Sequence, residues 1–258
     1  MTAHEEERRA APAGAQPGSP AGLATRPKGA LATVAGAAMM IALYMALVYA
    51  PREQTMGDVQ RIFYFHVPSA WVAFLAFFLV FLFSSIYLMR GGKKWDTRAA
   101  ASAEIGILFC TLVLITGPIW AKPVWGIWWT WDARLTLTLV LWLIYVGYLM
   151  LRHYITDPER RATFSAVVGI IGFLDVPIVY FSIRWWRTQH PQPVLAGGED
   201  SGLAPPMLYT LLVCLAAFTL LFVVLLRMRA RLEGLSDERD RLQALADAPA
   251  AGQHGGVS

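Results

Sequence analysis

An all-α, polytopic membrane fold with six spanning helices is what this sequence predicts, and three observations predict it. The 258 residues are 56% hydrophobic and only 16% charged, outside the usual composition of a soluble domain. Six apolar runs are each long enough to cross a hydrocarbon core of ~30 Å at ~1.5 Å per residue. The connections between the runs alternate between rich and poor in Lys and Arg, as the positive-inside rule requires of a chain that crosses a bilayer repeatedly. Within lipid only helices or a closed barrel satisfy the backbone, and continuous apolar runs of this length indicate helices.

The first run, Leu31 to Ala50, is rich in alanine. Ahead of the second run, Ser69 to Met89, the segment Asp58 to Ser69 carries Val59, Ile62, Phe63 and His66 at i, i+3, i+4, i+7 spacing. That spacing predicts a short amphipathic helix near the membrane surface, with Pro68 in the first turn of the second span, where a missing N–H costs nothing. The third run is Ala103 to Trp120. The fourth, Ala133 to Leu151, follows Asp132, a preferred N-cap residue. The fifth, Phe164 to Phe181, contains Asp175 and Pro177, and the proline predicts a kink. An unpaired carboxylate inside a span is costly, so Asp175 is expected to be protonated, paired or facing a wet cavity. Glu104 starts the third span and can reach water. The sixth run, Met207 to Leu226, leads into Arg227 to Leu245, where Leu232, Leu235, Leu242 and Leu245 recur at near-heptad spacing and predict a helical extension that is either a solvated tail or a docking helix.

The basic residues fix an orientation. Twelve of those near the spans fall on one side (Arg26 and Lys28, the Arg90 to Arg98 group, Arg152 with Arg160 and Arg161, and Arg227 to Arg231) and six on the other: Arg52, Arg61, Lys122, Arg134, Arg184 and Arg187. Both termini are therefore expected in the cytoplasm. Three segments follow: a disordered cytoplasmic tail over 1–30, a six-helix membrane domain over 31–226, and a helical or disordered cytoplasmic extension over 227–258. The tail is acidic, then Ala/Pro/Gly-rich, with no apolar run resembling a signal peptide. The net charge of +4 is modest and points to membrane lipid rather than nucleic acid. Cys110 and Cys214 lie inside apolar runs and form no Cys-x-x-Cys pair, as expected of small buried hydrophobes.

The densest local signal is Trp120 to Asp132, where five indoles and one carboxylate occupy thirteen positions on the outer side. So much π surface suits a large, flat, apolar guest. Two histidines, His66 and His190, share that side. Each alone reads as an interfacial residue. Together, beside the tryptophans, they suit an iron held from two sides inside aromatic walls. Trp125, Trp128, Trp129 and Asp132 would share one face if their segment were helical, with Pro123 and Gly126 arguing against a regular helix. Carboxylate groups on such a guest would need cations, and Arg61 and Arg134 are the preferred pair, headgroup contact being the alternative. His4, His153 and His254 lie in tails or at the inner surface.

The run Trp125-Gly-Ile-Trp-Trp-Thr-Trp131-Asp132-Ala-Arg134 resembles the WWD signature of haem-handling proteins in cytochrome c maturation. Phe65-His66-Val67-Pro68 and the stretch from Asp175 to His190 resemble the haem exporter protein C family in particular, in the same order and on six spans. The resemblance covers roughly Leu31 to Leu226. It implies non-covalent haem b at the periplasmic face of the bacterial inner membrane. His66 and His190 would be its iron ligands, and Trp125, Trp128, Trp129, Trp131, Asp132, Arg61 and Arg134 would surround it. It implies delivery to a periplasmic haem chaperone, and association with the ATP-binding subunit and permease of an ABC transporter and with a small single-span membrane protein. It implies no catalysis. The sequence has no Walker-type phosphate loop, so ATP hydrolysis is expected of another chain. Two other classes remain: a cytochrome b anchor of a quinone-linked redox enzyme, and a haem-free permease with an aromatic vestibule.

Overall fold

The computed structural model describes residues 29–186, 188–190 and 203–247. Most of the expected N-terminal tail and residues 248–258 at the far end lie outside them. Among the described residues the regular elements are helical, and six helical segments are long and apolar enough to cross a membrane. We number the helices α1 (Ala30–Tyr44), α2 (Phe63–Arg90), α3 (Lys93–Trp125), α4 (Ala133–Tyr154), α5 (Pro158–Phe173), α6 (Asp175–Trp185) and α7 (Pro205–Asp247).

α1 does not end as a regular α-helix. Its last turn, Met45–Tyr49, is a π-helix in which the Ala50 N–H donates to Met45 O at 2.8 Å. The next carbonyl in that register, Ala46 O, would face Pro51, which has no N–H. Arg61 fills the gap, its Nη1 donating to Ala46 O at 2.7 Å.

α2 starts earlier than its apolar run predicts. A 3-10 turn over Asp58–Ile62 feeds directly into Phe63, so His66 is the fourth residue of a spanning helix and not part of a separate surface helix. Pro68 accordingly lies inside α2, beyond the first turn. Only the polar side chains Asp58, Gln60 and Arg61 mark this entry, and they fit a 3-10 lead-in as well as a surface helix.

α2 is the central helix, packing on α3, α5 and α7. Its closest partner is α3. A Cβ at Gly106 would stand 2.6 Å from Phe77 Cε1, a separation no side chain survives, so the absent side chain is what lets the two helices meet. Close approach through small residues is how helices associate in lipid, where apolar side chains gain nothing by leaving the solvent. Phe77 also stacks on Tyr145 of α4, with centroids 3.9 Å apart.

The interruption expected in the fifth span falls at a single residue, Leu174, whose backbone stays in the right-handed helical region. α5 ends at Phe173 and α6 starts at Asp175, with Leu174 N donating to Ile171 O in a 3-10 turn. Pro177 has no N–H for the Phe173 carbonyl. Asp175 is buried in the first turn of α6, and its Oδ2 has no hydrogen-bond partner. α7 runs unbroken for 43 residues, roughly twice what a bilayer needs, and Leu232, Leu235 and Leu242 on its extension are exposed. Cys110 and Cys214 are free and buried.

Candidate functional site

The up-and-down course of the chain gathers the start of α2, the end of α3 with the loop into α4, and the end of α6 at one end of the bundle. His66 is buried there, 7% exposed. Its Nδ1 lies 2.8 Å from Thr116 Oγ1 of α3, and its ring meets Trp120 edge-on with centroids 5.9 Å apart. A Cβ at Gly117 would come 3.4 Å from His66 Cε1. One turn of α3 thus forms the wall against which the imidazole rests. Phe63, one turn before His66, touches the same indole at 6.0 Å.

α3 ends at Trp125 because Gly126 takes the left-handed conformation, φ 78°, with its N–H on Lys122 O at 2.9 Å. This is the usual glycine stop. Lys122 Nζ turns back onto Gly126 O at 2.8 Å. From Gly126 to Asp132 the chain is not helical, so Trp125, Trp128, Trp129 and Asp132 do not share a helix face. Instead the loop spreads its rings. Trp131 is 76% exposed and Trp128 57% exposed, while Trp129 is half-buried and meets Trp131 edge-on at 5.7 Å. Below the loop an open crevice of about 320 Å³ is lined by Leu114 of α3, Leu139 of α4, Trp129 and Trp131.

Asp132 is the N-cap of α4. Its Oδ1 accepts from Leu135 N at 3.0 Å and its Oδ2 from the Thr130 hydroxyl at 3.0 Å, so one oxygen caps the helix and the other holds the loop. A cap of this kind contributes ~1 kcal/mol. Two residues on, Arg134 points inward, and its Nη1 is buried without a partner. Trp120 Nε1, Trp129 Nε1 and Thr136 Oγ1 are unpartnered too. Each buried unmade bond costs ~1–3 kcal/mol.

His190 is half-buried, and its backbone N–H donates to Thr188 Oγ1 at 3.1 Å. The chain order places it just beyond α6, at the same end of the bundle as His66 and Arg134. Trp185 stacks on Phe181 at 5.6 Å, and both Trp185 and Trp186 are exposed. Arg187 is outside the described residues. Arg61 is already engaged, by Ala46 O and by Asp58 at 3.4 Å. Nothing in the sequence positions of Thr116 and Gly117 singles them out. Their signal is faint: Thr-Gly-Pro one turn before Trp120 inside an otherwise apolar run.

A family model described as Heme exporter protein C matches residues 12–245. The chain belongs to that family. It is 39% identical over 188 residues to Heme exporter protein C of Bradyrhizobium diazoefficiens, covering 72% of this chain and 71% of that one. It is 34% identical over 208 residues to the Haemophilus influenzae protein of the same name, covering 80% and 85%. A Marchantia polymorpha relative named as a putative cytochrome c biosynthesis ccmC-like mitochondrial protein is 33% identical over 178 residues, covering 69% and 75%. For a member of the heme exporter protein C family, the tryptophan end, with its loop, two histidines and unpaired donors, is the region to test for binding.

Proposed function

We propose that this chain acts in haem export for cytochrome c maturation, as a carrier that holds haem b non-covalently at the tryptophan end of the bundle and presents it for transfer. The observation that carries this reading is the set of buried donors without acceptors, Arg134 Nη1, Trp120 Nε1 and Trp129 Nε1, at the end of the bundle that also buries the His66 imidazole. Such donors in a low-dielectric site are matched by a ligand that is flat, apolar and edged with carboxylates, and haem with its two propionates has that chemistry.

His66 and His190 hold the iron in this reading, and Arg134 receives a propionate. Arg61, tied to the end of α1, lines the rim. Trp125, Trp128, Trp129 and Trp131 supply the apolar surface over which the porphyrin lies, and Asp132 keeps the loop and α4 in register. The crevice beside Trp129 and Trp131 accommodates an edge of the ring. The family relationship supports the haem cargo. The excess of basic residues at the opposite end supports a bacterial inner-membrane protein whose site faces the periplasm. A periplasmic haem chaperone would take the cargo, and an ABC transporter's ATP-binding subunit and permease, with a small single-span protein, would be its assembly partners.

Membranes bearing the full chain give the test. In reduced-minus-oxidised spectra, His66→Ala and His190→Ala are each expected to lose most bound haem. Retention of the wild-type signal in both would rule out the axial pair. One observation favours a second reading: His66 sits within a spanning helix, as the ligands of a cytochrome b anchor do. That alternative requires reversible reduction of the haem by quinol, which a delivery protein does not need.

A further inference from the structure

Thr116 has no role in the reading above, yet its hydroxyl touches the His66 ring directly. A threonine hydroxyl has one hydrogen to give and two lone pairs. The hydrogen is committed one turn back in α3, where Oγ1 donates to Leu112 O at 2.7 Å, since a carbonyl oxygen can only accept. What remains for His66 Nδ1, 2.8 Å away, is a lone pair. The imidazole nitrogen must therefore carry the hydrogen and donate. A neutral imidazole has a single N–H, so its remaining lone pair lies on Nε2.

We propose that Thr116 is a positioning residue that locks His66 in the Nδ1–H tautomer and thereby keeps Nε2 free as the iron ligand. The second half of this statement rests on His66 being a haem ligand, as read above; the first half does not. A further contact from the same turn of α3, the edge of Trp120, holds the ring so that the bond persists. A partner on the far nitrogen of a ligating histidine orients the ring, selects the tautomer and raises ligand basicity. Its loss typically weakens metal binding ~10–100-fold.

The decisive measurement is made first without haem. In full-length protein labelled with 15N-histidine in lipid bilayers, solid-state NMR of wild type is expected to show His66 with a protonated Nδ1 and a bare Nε2. Thr116→Val, which keeps the shape but removes the hydroxyl, is expected to show a mixture of tautomers, and Thr116→Ser to restore the single one. Titration with haemin should then give an affinity ~10–100-fold weaker for Thr116→Val and near wild type for Thr116→Ser. An Nε2–H tautomer in the wild type overturns the proposal even if no variant folds. So does wild-type haemin affinity in Thr116→Val where His66→Ala weakens it, or a Thr116→Ser variant as weak as Thr116→Val. Unchanged affinity in His66→Ala, with the tautomer result intact, would instead defeat the ligand reading while leaving the lock on the ring in place.

Discussion

The two ends of the bundle surround their buried arginines differently. At the basic end, Arg152 of α4 is clamped by both oxygens of Asp96 of α3, Nη2 to Oδ2 at 2.9 Å, with the two side chains 13% and 11% exposed. Arg229 of α7 is held by Glu104 of α3 and by Glu233 one turn along its own helix. At the tryptophan end, Arg134 is buried with an open Nη1, two indole N–H groups nearby are open, and aromatic rings face outward. The basic half also holds unpartnered polar atoms, the hydroxyls of Ser84, Tyr148 and Ser165 and Arg161 Nε, but its buried Arg152 is matched within the chain. The basic end ties helices together through Arg152 and Arg229 while leaving one nitrogen of Arg161 open. The tryptophan end leaves a nitrogen of Arg134 open together with two indole N–H groups, which costs stability and makes sense if a ligand completes them.

That contrast can be broken most forcefully at Arg152. Arg152→Ala leaves Asp96 buried without its partner, and losing one member of a buried pair costs ~3–5 kcal/mol. Thermal unfolding in detergent should show a larger drop in Tm for Arg152→Ala than for any substitution at Arg134 or Asp132, while the protein that remains folded binds haemin as wild type does. Arg134→Met should behave in the opposite sense. It removes an open buried donor, so Tm holds or rises, while haemin affinity falls ~10–100-fold, equivalent to a charge-assisted bond of ~1.5–3 kcal/mol. A fall in Tm comparable to that of Arg152→Ala would mean Arg134 is structural, and the two ends would no longer differ.

The architecture is plain in the sequence where a single physical quantity decides it. Apolar length sets the six spans, and Asp132 before an apolar run predicts the cap that the Leu135 N–H completes. Elements go astray where two forces meet. The start of α2 and the place of Pro68 depend on whether Asp58 to Ile62 winds into the span or lies beside it, and periodicity alone cannot tell these apart. The interruption at Leu174 is legible only approximately, because Pro177 announces a lost bond without saying which residue of the preceding turn gives way. At the site, the abundance of tryptophan is legible and its geometry is not, since a shared helix face stays open until Gly126 is seen to end the helix. Glu104 and Arg229 stand 125 positions apart, and no local pattern pairs them. Thr116 is invisible for the same reason: its meaning depends on a histidine 50 residues away.

The smallest effect sharpens the comparison at Asp132, where structure and binding overlap. Asp132→Ala removes the acceptor for Leu135 N and should lower stability by ~1 kcal/mol, a Tm shift well below that of Arg152→Ala. Asp132→Asn retains a capping oxygen and should keep most of that stability. The two variants therefore separate what the cap contributes from what the charge contributes. Each carboxylate oxygen accepts one bond, from Leu135 N and from the Thr130 hydroxyl, so in the proposed site Asp132 is assigned the role of holding the loop. Asp132→Asn is thus expected to bind haemin like wild type, and Asp132→Ala to lose affinity in step with loop order, read as increased backbone hydrogen exchange from Thr130 to Leu135. Weak binding by Asp132→Asn with a wild-type exchange pattern would mean that the negative charge itself is needed, and that the tryptophan end balances Arg134 with a carboxylate of its own.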